Sequence, residues 1–207
     1  MPKIQQERAV RTRHALLRAG AEEFAERGYA RASVADIASR AGLTLGALYF
    51  HFRSKAGLAR EIVLTQPDHV VPPRESQGLQ RSVDLSLTWA QQLLVDPLLL
   101  AGARLVTEQD EFVGEGESSH LQWTLIHREL LCEAMKMKEV KQGTDVEALA
   151  RLIVNACTGA QLHSQFTSGR QDLPQRVSEI WQFLLPAITT SKVAARVDID
   201  PERGRRS

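Results

Sequence analysis

The chain has 207 residues, enough for one or two domains with a substantial core, and its formal net charge at pH 7 is +1. Residues 1–60 contain eleven Lys and Arg against five Asp and Glu, whereas the remaining residues carry a net negative charge. A basic end is expected where a chain meets a polyanion, although a solvated charged face gives the same asymmetry. No apolar run approaches the ~20 residues of a membrane span, and the polar opening predicts no signal peptide.

Helical periodicity dominates the sequence, and alternation at period two never persists, which predicts an all-α fold of about nine or ten helices. A first helix is expected over residues 7–27, closed by Gly28. Ser33 then opens a second helix as its N-cap, with Asp36 three residues later in the manner of a capping box.

The next elements are also marked by caps and breakers. Gly42 should end the second helix, and Thr44 is a ready N-cap for a third. A fourth helix is expected after Ser54, and the proline-rich stretch 66–78 should stop or bend it.

The rest of the chain predicts further helices over residues 79–95, 97–109 and 118–141, with an acidic loop over 108–119. Thr144 with Glu147 predicts a capping box for a helix that reaches about residue 166. A last helix should begin near Asp172, with Pro174 tolerated in its first turn. Residues 54–191 are therefore interpreted as one helical domain, and 192–207 as a flexible polar tail.

The second and third helices are short, capped and joined by "SRAGL", which is the pattern of a helix-turn-helix over about 31–50. A DNA-binding domain is accordingly expected over 1–53. The second helix of the helix-turn-helix, which is the third helix of the chain, would enter the major groove. In this pose Tyr49 and His51 would donate to phosphates while Phe50 and Phe52 pack inward. The side chains expected to face double-stranded DNA are Ser33, Thr44, Leu45, Gly46, Tyr49, His51 and Lys55.

The stretch "AGAEEFAERGYARASVADIASRAGLTLGALYFHFRSKAGLA" resembles the N-terminal domain of TetR-type transcriptional repressors. The stretch "DPLLLAGARLVTEQ", followed by "LQWT", resembles the γ-butyrolactone autoregulator receptors within that family. The resemblance implies a homodimeric repressor that leaves a near-palindromic operator when a small hydrophobic signal binds. The polar opening and the two isolated cysteines predict a cytoplasmic protein, which would be associated with the nucleoid when bound to DNA. One departure is Leu45, where such receptors often have Lys; leucine offers only apolar contact, for example to a thymine methyl.

The expected ligand-binding residues are polar or aromatic side chains at helical spacing: Gln66, Trp89, Trp123, His127, Thr158 and Gln161. Asn155, Thr158, Gln161 and Gln165 share a stripe that lies in an apolar pocket or, equally well, faces solvent. Trp123 falls where the subgroup has a pocket tryptophan, with an ordinary core residue as the alternative. Trp89 fits cavity or core, and His127 is more often a satisfied structural histidine.

The resemblance also implies that the last two long helices pair with their copies across a two-fold axis. The dimer residues expected on them are Gly159, Val177, Ile180, Trp181 and Leu184. Plain intramolecular core gives the same pattern.

An enzyme is the first rival function, but no nucleophile elbow or phosphate-binding loop occurs, and "GEGESS" is a weak match. His120 and His127 lie seven residues apart without a third ligand at workable spacing, so neither metal nor other cofactor is expected. Cys132 and Cys157 are interpreted as buried thiols in a reducing compartment. The second rival is a TetR-type pseudo-receptor or efflux repressor that recognises an antibiotic or another drug-like compound.

Overall fold

The computed structural model describes residues 2–106 and 118–205, with side chains from residue 6 onward, and every regular element in those ranges is helical. The all-α prediction is therefore confirmed. Among these residues no helix is long and apolar enough to cross a bilayer. Residues 108–117, which make up most of the predicted acidic loop, lie outside the described residues.

In chain order the described helices are α1 (Pro2–Arg31), α2 (Val34–Arg40), α3 (Leu45–Phe52), α4 (Lys55–Thr65), α5 (Gly78–Gln92), α6 (Pro97–Leu105), α7 (Ser119–Lys136), α8 (Val146–Ser168), α9 (Leu173–Ile188) and α10 (Ser191–Ala194). Short 3₁₀ helices occupy Gln66–His69 and Pro201–Arg205. The described helices together form two compact units. Of the described residues, the first unit contains those up to Gln66 and those within Asp96–Ser119, and the second contains those within Pro67–Val95 and His120–Ser207.

The predicted starts of α2, α3 and α4 are confirmed by their caps, whereas α1 begins at Pro2 rather than at the predicted residue 7 and α6 ends at Leu105 rather than at residue 109. Ser33, Thr44 and Ser54 are N-caps whose hydroxyls accept the backbone N–H groups of Asp36, Ala47 and Gly57 at 3.4, 3.2 and 2.9 Å. Gly28 interrupts α1 with φ of 75°, and Gly42 follows α2 with φ of 65°, a region that glycine adopts without strain.

The first unit does not end at residue 53, where the sequence predicted a domain boundary. α4 and α6 belong to it because their apolar residues complete the core of α1, α2 and α3. Side chains from all five helices are almost fully buried in that core: Leu16, Phe24, Ile37, Leu48, Leu58, Ile62 and Leu105. Burial at ~25 cal/mol per Å² of apolar surface is the main stabilising contribution here.

Two helix ends in the second unit differ from the predictions. α7 ends at Lys136, before the predicted residue 141, and Lys138 follows with φ of 60°. The N-cap of α8 is Asp145, whose carboxylate accepts the Ala148 N–H at 3.0 Å. The Thr144 hydroxyl instead donates to the Lys141 carbonyl at 2.8 Å, so the predicted Thr144 capping box is wrong.

The turn between α8 and α9 is held by Asp172. Its carboxylate accepts hydrogen bonds from Ser164 and Ser168 on α8 and from Arg176 Nε on α9, the last at 2.7 Å. The serine hydroxyls first, and then Arg176, lower the pKa of Asp172. This set of bonds fixes the reversal between the two helices.

The C-terminal segment is not a flexible tail within the described residues, contrary to the prediction. Arg203 donates to the fully buried Asp84 on α5 from Nε at 2.6 Å and from Nη2 at 3.1 Å. The Gln80 side chain exchanges hydrogen bonds with the backbone of Asp198, 2.8 and 2.7 Å long. The segment is fixed because its polar groups satisfy those of α5.

Candidate DNA-binding surface and buried polar set

The exposed surface of α3 presents most of the predicted DNA contacts. Leu45 and Tyr49, one turn apart, are 41% and 45% exposed. Thr44 and Gly46 are also exposed, and a Cβ added to Gly46 would lie 3.8 Å from Thr44 Oγ1, an ordinary contact. A nearby backbone could therefore approach α3 closely. Ser33 is half-buried because it caps α2.

Phe50 does not pack inward, and that prediction is wrong. Its side chain is 82% exposed, with its ring 5.1 Å from the His51 ring in an edge-to-face arrangement. Phe52 is buried as predicted, under the Arg13 guanidinium. The helix period explains the difference: Phe52 lies four residues after the buried Leu48, whereas Phe50 lies two residues after it and faces the opposite side.

Lys55 is half-buried at the start of α4. Its ammonium donates to the Ala30 carbonyl at 3.3 Å and lies 4.6 Å from the centre of the Tyr29 ring. These contacts tie α4 to the end of α1, so a phosphate would have to share the ammonium with this carbonyl. The predicted phosphate contact of Lys55 stays a prediction.

Much of the basic charge of the first unit is neutralised within it. Arg40 on α2 pairs with three carboxylates of α1, those of Glu22, Glu23 and Glu26, at distances of 3.6, 3.3 and 2.8 Å. The hydrogen bond with Glu26 is the main cause that raises the pKa of Arg40. Arg27 pairs with Asp36 at 3.1 Å. These pairs hold α2 against α1.

Gln66 lies at the end of α4, where the sequence predicted a ligand contact. Only 3% of its surface is exposed, and its Nε2 donates to the Val63 carbonyl at 3.0 Å and the Ser119 hydroxyl at 3.3 Å. Its amide lies directly over Gly102 of α6, inside the space that a Cβ there would need. In this structure Gln66 therefore joins α4 to α6, and its predicted ligand contact is untested.

Arg104, on the same helix as Gly102, was missed by sequence reasoning. Its Nη1 donates to the Ala25 and Glu26 carbonyls of α1 at 2.9 and 3.0 Å, beside the break at Gly28. The guanidinium thus satisfies carbonyls at the end of a helical segment. Gly102 and Arg104 are two residues apart in the stretch "AGAR", and this spacing was the sequence signal that could have pointed to them.

The predicted ligand residues of the second unit contribute to a buried polar set on α5, α7 and α8. His127 is 4% exposed, and its Nδ1 lies 2.8 Å from the Ser82 hydroxyl of α5. Burial lowers the pKa of His127 to about 4. Burial likewise raises the pKa of Cys157 to about 12, a shift reduced by a hydrogen bond with Ser86. Both groups are uncharged at neutral pH.

Gln161, also buried, and Thr158, which is half-buried, lie further along α8. The Thr158 hydroxyl lies 3.1 Å from His120 Nε2, a partner that the sequence did not suggest. Gln161 is 2% exposed, and its Nε2 has no hydrogen-bond partner among the described residues. The predicted polar stripe is therefore divided, because Asn155 and Gln165 are exposed. Trp89 and Trp123 are both half-buried.

Two of the five predicted dimer residues lie inside the chain. Val177 and Trp181 are fully buried, so they cannot offer surface to a partner, and that part of the prediction is wrong. Ile180 and Leu184 are half-buried, and Gly159 is exposed. The apolar side chains that α8 and α9 expose most are others, namely Leu152, Phe166 and Phe183, at 51%, 86% and 81%.

Two family models match this chain. Residues 16–62 match the bacterial regulatory proteins of the tetR family, and residues 77–190 match the tetracyclin repressor-like C-terminal domain. The chain therefore belongs to the TetR family, and it is a DNA-binding transcriptional regulator rather than an enzyme.

Among individual proteins, the A-factor receptor protein of Streptomyces griseus is 36% identical over 93% of this chain and 69% of its own length. The structure of TylP, a TetR regulator from Streptomyces fradiae, superposes with a TM-score of 0.85 at 35% identity, covering 96% of each chain. A γ-butyrolactone receptor described as ArpA-like gives a TM-score of 0.72 at 27% identity, covering 97% of this chain and all of that one.

Proposed function

We propose that this regulator binds a near-palindromic operator as a homodimer and leaves it when a small, uncharged, largely hydrophobic signal binds in its second unit. The signal is of the γ-butyrolactone type or a related autoregulator, and the genes controlled belong to secondary metabolism. The protein acts in the cytoplasm, associated with the nucleoid while it is bound to DNA.

The observation that carries this proposal is the unpartnered amide of Gln161. A buried N–H without an acceptor costs about 1–3 kcal/mol, and an oxygen-bearing ligand would remove that cost. Cys157, one turn before Gln161 on α8, is uncharged at neutral pH, as is the buried His127 on α7, and uncharged surroundings favour a neutral ligand. A lactone offers carbonyl and ring oxygens on an apolar frame, and the A-factor and γ-butyrolactone receptors described above support this class.

Release follows from a shift between two populations of the dimer. Without ligand, the two α3 helices are held at the spacing of successive major grooves, which makes the operator near-palindromic. The ligand binds more tightly to dimers whose heads are out of register, and α4, which follows the DNA-binding helices directly, is the element that moves. Coupling of ~1–3 kcal/mol per site is typical of such linkage.

The test measures operator release by fluorescence anisotropy with a panel of alkyl-substituted γ-butyrolactones. Gln161→Leu and Trp123→Ala should keep operator affinity within about twofold while the lactone concentration needed for release rises at least tenfold. Gln165→Leu is the matched control, since Gln165 is exposed on the same helix, and it should respond as wild type. A normal response of Gln161→Leu would remove the proposed anchor.

The alternative ligand is an antibiotic or an efflux substrate. It fits less well, because the A-factor receptor matches almost the whole chain at 36% identity. Release by such compounds in the same assay, with no response to any lactone, would favour it.

A further inference from the structure

The composition of α3 restricts how it can read bases. Its sequence, "LGALYFHF", contains no Arg, Lys, Asn, Gln, Asp or Glu. These side chains make the usual hydrogen-bonded pairings with guanine, adenine and cytosine edges in the major groove. α3 can therefore make none of those pairings, and its Tyr49 and His51 are the side chains predicted to contact phosphates.

α3 nevertheless exposes two large apolar side chains. Leu45 lies in its first turn, the part of a recognition helix that meets base edges, and is 41% exposed. Phe50 lies one turn after Gly46 and is 82% exposed. Helical side chains lean over the preceding turn, where Gly46 has no side chain of its own, so the Phe50 ring has open space towards the groove. Single exposed apolar residues are common, but these two share the helix that binds DNA.

We propose that Leu45 and Phe50 determine operator specificity by packing against thymine 5-methyl groups. The thymine methyl is an apolar group on the major-groove edge of an A·T pair, and aliphatic and aromatic side chains make contact with it. The operator is thus recognised by the positions of thymines rather than by guanines. This inference rests on α3 being the helix that enters the groove.

The experiment first selects an operator from random duplexes with the full-length protein. Each thymine of one half-site is then replaced by deoxyuridine, which removes the methyl and retains base pairing. Wild-type affinity should fall about fourfold for each contacted methyl, the effect of returning one methylene-sized apolar group to water. The same number of replacements outside the half-sites is the control and should change nothing.

Two variants assign each methyl to its side chain. Leu45→Ala should abolish the deoxyuridine penalty at one set of positions, and Phe50→Ala at another, while each weakens binding to the thymine operator. Leu121→Ala is the matched control, since Leu121 is a leucine of similar exposure on α7, and it should keep the full penalty. An unchanged penalty in both α3 variants, or none in wild type, would overturn the proposal.

A gain-of-function variant tests whether the side chain at position 45 determines the base that is selected. Leu45→Lys should select operators with guanine where wild type selects thymine, because lysine can donate to guanine O6 and N7. An unchanged selected sequence would overturn the role of Leu45. Should Leu45→Ala and Tyr49→Phe both bind the selected operator as wild type does, α3 is not the DNA surface. Normal binding by these two variants would contradict the proposed role of α3, whereas the absence of a deoxyuridine penalty in wild type alone would contradict only the recognition of thymine methyl groups.

Discussion

His127 shows how one buried residue can make stability depend on pH. Its ring is enclosed in the second unit, and its folded-state pKa is about 4 against an ordinary value of 6.5. Between these values the unfolded chain binds the proton and the folded chain does not. The contribution of the neutral His127 to the free energy of unfolding is therefore complete above pH 6.5 and is lost as the pH falls towards 4.

We expect wild type to lose up to about 3 kcal/mol of unfolding free energy across this window through His127 alone. Urea unfolding at pH 7, 5.5 and 4.5 measures the loss, and His127→Gln should show a correspondingly smaller dependence on pH. His163→Gln, at an exposed position on α8, should retain the wild-type dependence. An identical pH profile for His127→Gln would contradict this explanation.

At the scale of elements, α6 is joined to the DNA-binding helices by two contacts from one short stretch. Gly102 has no side chain and so leaves room for the Gln66 amide, and Arg104 donates hydrogen bonds to the carbonyls at the break in α1. The stretch that resembles the γ-butyrolactone receptors therefore has a structural role in the first unit.

Gly102→Ala should destabilise the protein by about 1–3 kcal/mol, because the added methyl overlaps the Gln66 amide in a well-packed interior. Urea unfolding of the single and double variants forms the test, and Gln66→Ala should reduce the cost of the Gly102 change. Gly46→Ala, at an open helical position, should be neutral or stabilising. Additive effects of the Gly102 and Gln66 changes would show that the two side chains do not interact.

The sequence predicted local features better than it predicted the direction in which each side chain points. The caps Ser33 and Thr44 and the start of α4 after Ser54 were predicted correctly because a helix start depends on residues only a few positions apart. The environments of Phe50 and Trp181 depend on which neighbouring helices cover them, and periodicity gives an apolar face without naming its partner. For the same reason the stripe on α9 predicted a dimer surface, although its residues Val177 and Trp181 are buried in the core of the chain.

At the scale of the whole molecule, dimerisation should use the apolar side chains that α8 and α9 leave uncovered. Large aromatic side chains often dominate binding energy at interfaces, and Phe166 and Phe183 are more than four-fifths exposed. The TetR assignment implies a dimer, and this surface is the candidate that the structure offers.

Phe183→Asp should convert the protein to a monomer by light scattering at micromolar concentration, and lower affinity for a two-half-site operator at least tenfold. The cause is the desolvation of a carboxylate within an apolar interface. Val95→Asp, at a site 76% exposed outside both helices, should keep the dimer mass. A dimeric Phe183→Asp would place the interface elsewhere.

The docking of the C-terminal segment on α5 also determines where the protein tolerates alteration. A version shortened to end at residue 196 would deprive the carboxylate of Asp84 of its guanidinium while leaving it in the interior, a change that costs several kcal/mol in other proteins. Purification handles and fluorescent reporters are therefore better fused at the opposite terminus, and weak signal responses in a clipped preparation should be traced to this end first.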